Sequence, residues 1–169
     1  AKVFGDDGDD TINIAGTTTF DKSTIHGSAG NDSIGIAAGA AGASSIYGGK
    51  GDDTVLLTST AKFVVSGDNG SDEVDVAGAS SGATVFGGEG TDSFTNTGNG
   101  STVFLGGAGK DTMTGGTGAN KIYGGKDADL IGAGAGAGAD SIYGDAGNDT
   151  ITLDTTGSSK VWGGADVDS

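Results

Sequence analysis

Apolar and polar residues alternate in short bursts along the whole chain, and the bursts keep a fixed distance from runs of small residues. Val3, Ile12 and Ile14 are followed by Ile25, Ile34 and Ile36, then by Ile46, Val55 and Leu57, then by Val65, Val74 and Val76. An apolar period of two is that of a half-buried strand, and frequent glycine opposes helix. Each apolar pair is interrupted by a tight turn rich in Gly and Asp. The pattern therefore predicts a repeating unit of strand, tight turn, strand and a second, looser connection.

Numbered from the first glycine of each tight turn, position 1 falls at Gly5, Gly27, Gly48, Gly67, Gly87, Gly106, Gly124, Gly144 and Gly163, nine units spaced 18 to 22 residues apart. Two residues earlier the side chain is always apolar: Val3, Ile25, Ile46, Val65, Val85, Phe104, Ile122, Ile142 and Val161. Position 8 is apolar wherever the chain reaches it, from Ile12 to Ile151. Repetition at this period predicts stacked supersecondary units that share one continuous core. The inward alternation thins at Asn96, Gly115 and Ala133, so the middle coils are expected to pack less well.

Position 6 is aspartate in every unit: Asp10, Asp32, Asp53, Asp72, Asp92, Asp111, Asp129, Asp149 and Asp168. A turn would accept Asn or Ser there equally well, so nine aspartates ask for charge rather than for turn geometry. Coils stacked about 4.8 Å apart bring successive carboxylates too close to stay ionised without a cation between them. Calcium takes six to eight hard oxygens in flexible geometry, and a glycine-rich turn can aim several carbonyls at one point.

Composition sharpens this picture. Glycine supplies 37 residues and proline none, at fixed offsets beside β-branched residues, which indicates demanded backbone geometry rather than disorder. The formal charge of -15 disfavours nucleic acid as a partner. With no cysteine, one Met and one His, disulfides, zinc, haem and iron–sulfur centres lack ligands. No run of eighteen apolar residues suggests membrane insertion, and the chain opens and closes within a repeat, as expected of a segment of a longer protein.

The second connection absorbs the length variation, at Ala15 to Thr24, Ala37 to Ser45, Ala77 to Thr84 and Asp154 to Lys160. Gly115 to Tyr123 forms a second nonapeptide with Asn120 at the aspartate position, and Asp140 is a near match. Elsewhere that position holds Ser23, Ser44, Phe63, Ala83, Thr102 and Ser159. The second edge has lost most of what the first keeps, and Asn120 with Asp140 is its one candidate ion site.

The turns Gly48 to Leu56 and Gly87 to Thr95 match G-G-x-G-x-D-x-U-x at every defined position, the nonapeptide of calcium-binding parallel β-helices. Across essentially the whole of residues 1–169 the chain resembles the RTX, or haemolysin-type, repeat family. The resemblance implies an all-β fold, a right-handed parallel β-roll of about nine coils, with calcium between equivalent turns along one edge. It implies that the nine position-6 aspartates bridge successive ions. The carbonyls of Gly8, Gly30, Gly51, Gly70, Gly90, Gly109 and Gly147 are then among the other ligands. At Asp127 and Asp166 the position-4 glycine is replaced, and there the turn is expected to distort or to gain a carboxylate ligand. Nine turns offer at most eight gaps, and eight divalent ions carry about +16 against the chain's -15.

The residue before each turn, Phe4, His26, Tyr47, Ser66, Phe86, Leu105, Tyr123, Tyr143 or Trp162, predicts an outward ladder that stabilises the sheet, with a sugar-binding stripe as the alternative. Paired acids such as Asp9–Asp10 and Asp52–Asp53 belong to a turn that returns in every unit, whereas an active site is singular, and no partner for His26 suggests catalysis. Positions 3 and 5 are too irregular for an ice-binding array. The expected function is that of a secreted, non-catalytic calcium module at a bacterial cell surface, a surface-layer or adhesin rod exported by type I secretion and folding on calcium. Its expected partners are neighbouring segments or copies of the same protein and cell-surface polysaccharide. The alternative is the calcium module of a secreted protease, lipase or epimerase.

Overall fold

The structure, a computed structural model, describes residues 1–15, 21–39, 42–78, 82–134, 136, 138–154 and 156–169. The remaining residues all belong to the variable second connections, whose expected course at those points lies outside the described residues. The alternation resolves into strands flanking each tight turn. In the first four units these are β1 (Lys2–Asp7) and β2 (Thr11–Ile14), β3 (Thr24–Ala29) and β4 (Ser33–Ile36), β5 (Ser44–Lys50) and β6 (Thr54–Leu57), and β7 (Phe63–Asn69) and β8 (Glu73–Val76). There follow β9 (Thr84–Glu89) and β10 (Ser93–Asn96), β11 (Val103–Ala108) and β12 (Thr112–Thr114), β13 (Lys121–Lys126) and β14 (Leu130–Gly132), β15 (Ser141–Ala146) and β16 (Thr150–Thr152), and lastly β17 (Lys160–Ala165). No helix occurs among the described residues.

Odd-numbered strands form one nine-stranded sheet and even-numbered strands an eight-stranded one, each in chain order with every neighbour parallel. The result is a β-solenoid of eight complete coils, with β17 and its turn beginning a ninth. Equivalent residues stand in register from coil to coil, as in Ile25↔Ile46 and Ile34↔Val55. A slip of one residue would turn each apolar column outward, so the columns themselves lock the register.

Between the sheets runs a core one side chain thick. Ile25, Ile46, Val65, Val85, Phe104, Ile122 and Ile142 meet Ile34, Val55, Val74, Phe94, Met113 and Ile131, all essentially inaccessible to solvent. A further column of Ile36, Leu57 and Val76 gives way to Asn96 and then Ala133, as the sequence pattern predicts. Beside it Phe94 and Phe104 are fully buried and stacked at 5.8 Å, and Asn96 is itself buried and hydrogen-bonded.

On the outer face of the odd-numbered sheet the aromatic ladder is present as two stacks. Phe4, His26 and Tyr47 lie at ring separations of 5.4 and 4.5 Å; Tyr123, Tyr143 and Trp162 at 4.7 and 4.5 Å. Ser66 interrupts the ladder after Tyr47, where the register passes through Tyr47↔Ser66.

Candidate metal edge

All nine tight turns lie on one edge of the roll. At position 4 the backbone enters the left-handed region, with φ of 113° at Gly8, 132° at Gly30 and 112° at Gly51, where a side chain is strained. Asp127 and Asp166 hold the same turn at φ 72° and 78°, so it tolerates the substitution, and both carboxylates are exposed.

Position 1 is glycine for a different reason. Its φ is not left-handed; instead the position-6 carboxylate fills the space a β-carbon would take. Added to Gly48, a β-carbon would collide with Asp53 Oδ2 and approach the Gly67 carbonyl at 2.9 Å; Gly67 stands in the same relation to Asp72 Oδ2 and the Gly87 carbonyl. The same cradle recurs from Gly5 to Gly163. Bridge pairing also skips position 1 at every odd-sheet interface, running from Tyr47↔Ser66 directly to Gly49↔Asp68.

Within the cradle each carboxylate from Asp32 to Asp149 is half satisfied. Oδ1 accepts the backbone N–H of the preceding coil's aspartate, from Asp10 N–H to Asp32 Oδ1 at 2.9 Å through Asp53 N–H to Asp72 Oδ1 at 2.8 Å to Asp149 N–H to Asp168 Oδ1 at 3.2 Å. The other oxygen, Oδ2, is buried without a hydrogen-bond partner in Asp10, Asp32, Asp53, Asp72, Asp92, Asp111, Asp129 and Asp149. A buried unpaired carboxylate oxygen is costly enough that a proton or a cation must answer it. Burial, opposed by the accepted N–H bond and reinforced by neighbouring carboxylates, pushes Asp53 and Asp129 up to about 6 and Asp72 and Asp111 up to about 7. Burial likewise raises Asp92 and Asp149.

Main-chain oxygens enter the gaps between coils from both sides. The carbonyls of Asp68 and Gly70 reach toward the α-carbons of Gly88 and Gly90 in the next coil, while the Gly87 carbonyl faces back into the Gly67 cradle. Among the described residues, the position-4 carbonyls of Gly8, Gly30, Gly51, Gly70, Gly90, Gly109 and Gly147 accept no backbone hydrogen bond outside the strands. No point among those residues gathers three or more carboxylate, imidazole or thiolate side chains. Any ion in these gaps therefore relies on carbonyls beyond its aspartates. Hard oxygens in flexible geometry suit calcium and give nothing to a soft metal.

The family model described as RTX calcium-binding nonapeptide repeat (4 copies) matches residues 2–13, 20–34, 36–58, 105–137 and 135–155, more than half of the chain. The chain belongs to the RTX calcium-binding repeat family. No curated protein and no solved structure matches it. Residues 59–104 lie outside the matched segments, yet their RTX turns keep the same geometry, with Asp72 and Asp92 each presenting an orphaned Oδ2. The protein is thus a calcium-binding structural module built as a β-solenoid, a fold whose repeats are non-catalytic.

Two features of these RTX turns escape a reading of residue types. One is the cradle role of position 1. The other is a ladder at position 5 that runs opposite to the aspartate ladder: Asn31 N–H donates to Asp9 Oδ1 at 2.8 Å, Asp52 N–H to Asn31 Oδ1 at 2.9 Å and Ser71 N–H to Asp52 Oδ1 at 2.8 Å. Asp, Asn and Ser serve there alike, and Lys110 and Ala128 offer no short acceptor, so no invariant letter marks it.

Proposed function

We propose that this module is an extracellular rod, an element of a bacterial surface layer or large adhesin, that orders when it meets calcium after secretion. The observation that carries the reading is the row of eight buried Oδ2 atoms without partners, one per complete coil. A core one side chain thick and a charge of -15 give the chain little to offset its conformational entropy, and cations on the edge supply what is missing. At the millimolar calcium typical of extracellular modules such sites fill, and binding and folding become one equilibrium. Up to about eight ions would line the edge, one in each gap between turns.

The partners we propose are neighbouring segments or copies of the same rod. Its stacked rings cover one another's faces, so a polysaccharide would have to contact the open faces at the ends of each stack. The test is circular dichroism of the purified chain with calcium and then with excess chelator. Loss of most of the β-sheet signal, restored by calcium, is expected; a spectrum indifferent to chelator overturns the proposal.

A further inference from the structure

The second edge repeats the geometry of the first with a different atom at its centre. A β-carbon added to Gly115 would meet Asn120 Nδ2 at 3.0 Å and the Ala133 carbonyl at 2.7 Å, as one added to Gly48 would meet Asp53 Oδ2 and the Gly67 carbonyl. Asn120 Nδ2 therefore stands where each first-edge aspartate places its unpaired oxygen. It shares its hydrogens among the carbonyls of Gly118 (2.8 Å) and Gly116 (3.2 Å), positions 4 and 2 of its own turn, and Asp140 Oδ1 in the next coil (3.2 Å). Two loop carbonyls and a carboxylate of the next coil are the kind of oxygens a first-edge cation would gather. Here an amide N–H2 group holds them.

Asn96 extends the arrangement by one coil. Its Nδ2 donates to the Gly100 carbonyl (3.0 Å), Thr102 Oγ1 (3.0 Å) and Asn120 Oδ1 (3.2 Å), while its Oδ1 accepts the Gly98 N–H (2.9 Å). Backbone N–H groups complete the column: Thr102 to Asn120 Oδ1 at 3.0 Å, Asn120 to Asp140 Oδ1 at 2.7 Å and Asp140 to Ser159 Oγ at 3.3 Å. Asn96, Thr102, Asn120 and Asp140 are all at most 3 % exposed, and among the described residues no buried side-chain atom of Asn96, Thr102 or Asn120 lacks a partner. Fully satisfied buried networks rigidify the structure that holds them.

We propose that the side-chain amides of Asn96 and Asn120 take the place of cations on the second edge, making the coils from β10 to β15 a calcium-independent staple around which the rest of the rod orders. The proposal rests on the reading of the first edge as calcium-dependent and adds an order of events. With calcium scarce, the first edge of these coils frays while the second edge holds, supported by the buried Phe94, Phe104, Met113, Ile122, Ile131 and Ile142. Calcium then loads the first edge outward from the coils already aligned.

Hydrogen exchange of the whole chain, in chelator and through a calcium titration, tests this. In chelator, the amides of Thr102, Asn120, Lys121 and Ser141, bonded along the second edge, exchange about tenfold or more slower than those of Asp32, Asp53 and Asp72 on the first. Asn120→Asp exchanges the donating N–H2 for an oxygen of the same shape; it erases the excess protection and raises the calcium midpoint about threefold or more, while saturating calcium restores the native spectrum. Should that variant fail to order at any calcium level, Thr102→Val, which removes one acceptor of Asn96, decides by a loss of about threefold in protection. Uniform exchange in chelator, or either variant keeping wild-type protection, overturns the staple. Calcium-driven ordering with uniform protection sinks the staple alone; no ordering by calcium anywhere sinks the reading of the first edge.

Discussion

The two edges of this solenoid solve one problem in two ways. On both, the side chain at position 6 can offer an oxygen to the N–H of the coil before it, and on both the turn carbonyls face the space between coils. On the second edge Asn120 closes the set with hydrogens of its own. On the first, Asp53 in the equivalent cradle brings only another acceptor. One atom, nitrogen or oxygen, separates an edge that is complete in itself from one that must import positive charge. The internal comparison also shows why aspartate recurs nine times on one edge while the other edge is free to hold Ser, Thr, Asn, Phe or Ala.

Filling the cradle has the largest effect. Gly48→Ala drives a methyl into Asp53 Oδ2 and costs about 3 kcal/mol or more of calcium-dependent stability, whereas Gly132→Ala, whose β-carbon meets nothing closer than 3.8 Å, is neutral to slightly stabilising in thermal melts. Next in size, Asp53→Ala removes a ligand shared by two gaps and lowers bound calcium by about two ions in a calorimetric titration. Ser44→Ala on the opposite edge removes none, and equal losses from the two variants would show that the edges are wrongly assigned.

A subtler change swaps one oxygen for an amide nitrogen. Asp53→Asn makes the first edge locally resemble the second: it loses calcium as Asp53→Ala does but keeps more residual β-sheet signal in chelator than Asp53→Ala, because the amide can donate to the turn carbonyls. The smallest effect is that of pH. The raised carboxyl values, about 6 at Asp53 and Asp129 and about 7 at Asp72 and Asp111, mean that protons held by the metal-free coil stabilise it in acid. That contribution is fully present below the unfolded value near 3.8 and is lost as the pH rises through about 6 to 7. Calcium loading therefore releases protons, and the calcium midpoint measured by circular dichroism moves upward as the pH falls from about 7.5 to about 5.5.

Much of this was legible in the chain itself, because a solenoid prints its structure as a period. The apolar columns from Ile25 to Ile142 and from Ile12 to Ile151 give both sheets and their register, and the invariant aspartates give the edge. What stayed hidden depends on relations between coils rather than on residue type. Glycine at position 1 looks like a turn residue, yet its φ is ordinary and its purpose is to leave room for the carboxylate of its own coil. Asn96 looks like a lapse in the core, because the partners that satisfy it, Gly100, Thr102 and Asn120, come from the following connection and the next coil. Asp127 and Asp166 break the glycine pattern while leaving the left-handed turn in place, since aspartate tolerates that region better than most side chains.

The most direct measurement is a high-resolution crystal structure of the chain grown in calcium. Cation density is expected in the gaps between tight turns, within about 2.3–2.6 Å of the Oδ2 atoms of Asp32, Asp53, Asp72, Asp92, Asp111 and Asp129, and none in place of Asn120 Nδ2. Gaps that hold only water beside those carboxylates in saturating calcium would contradict that expectation.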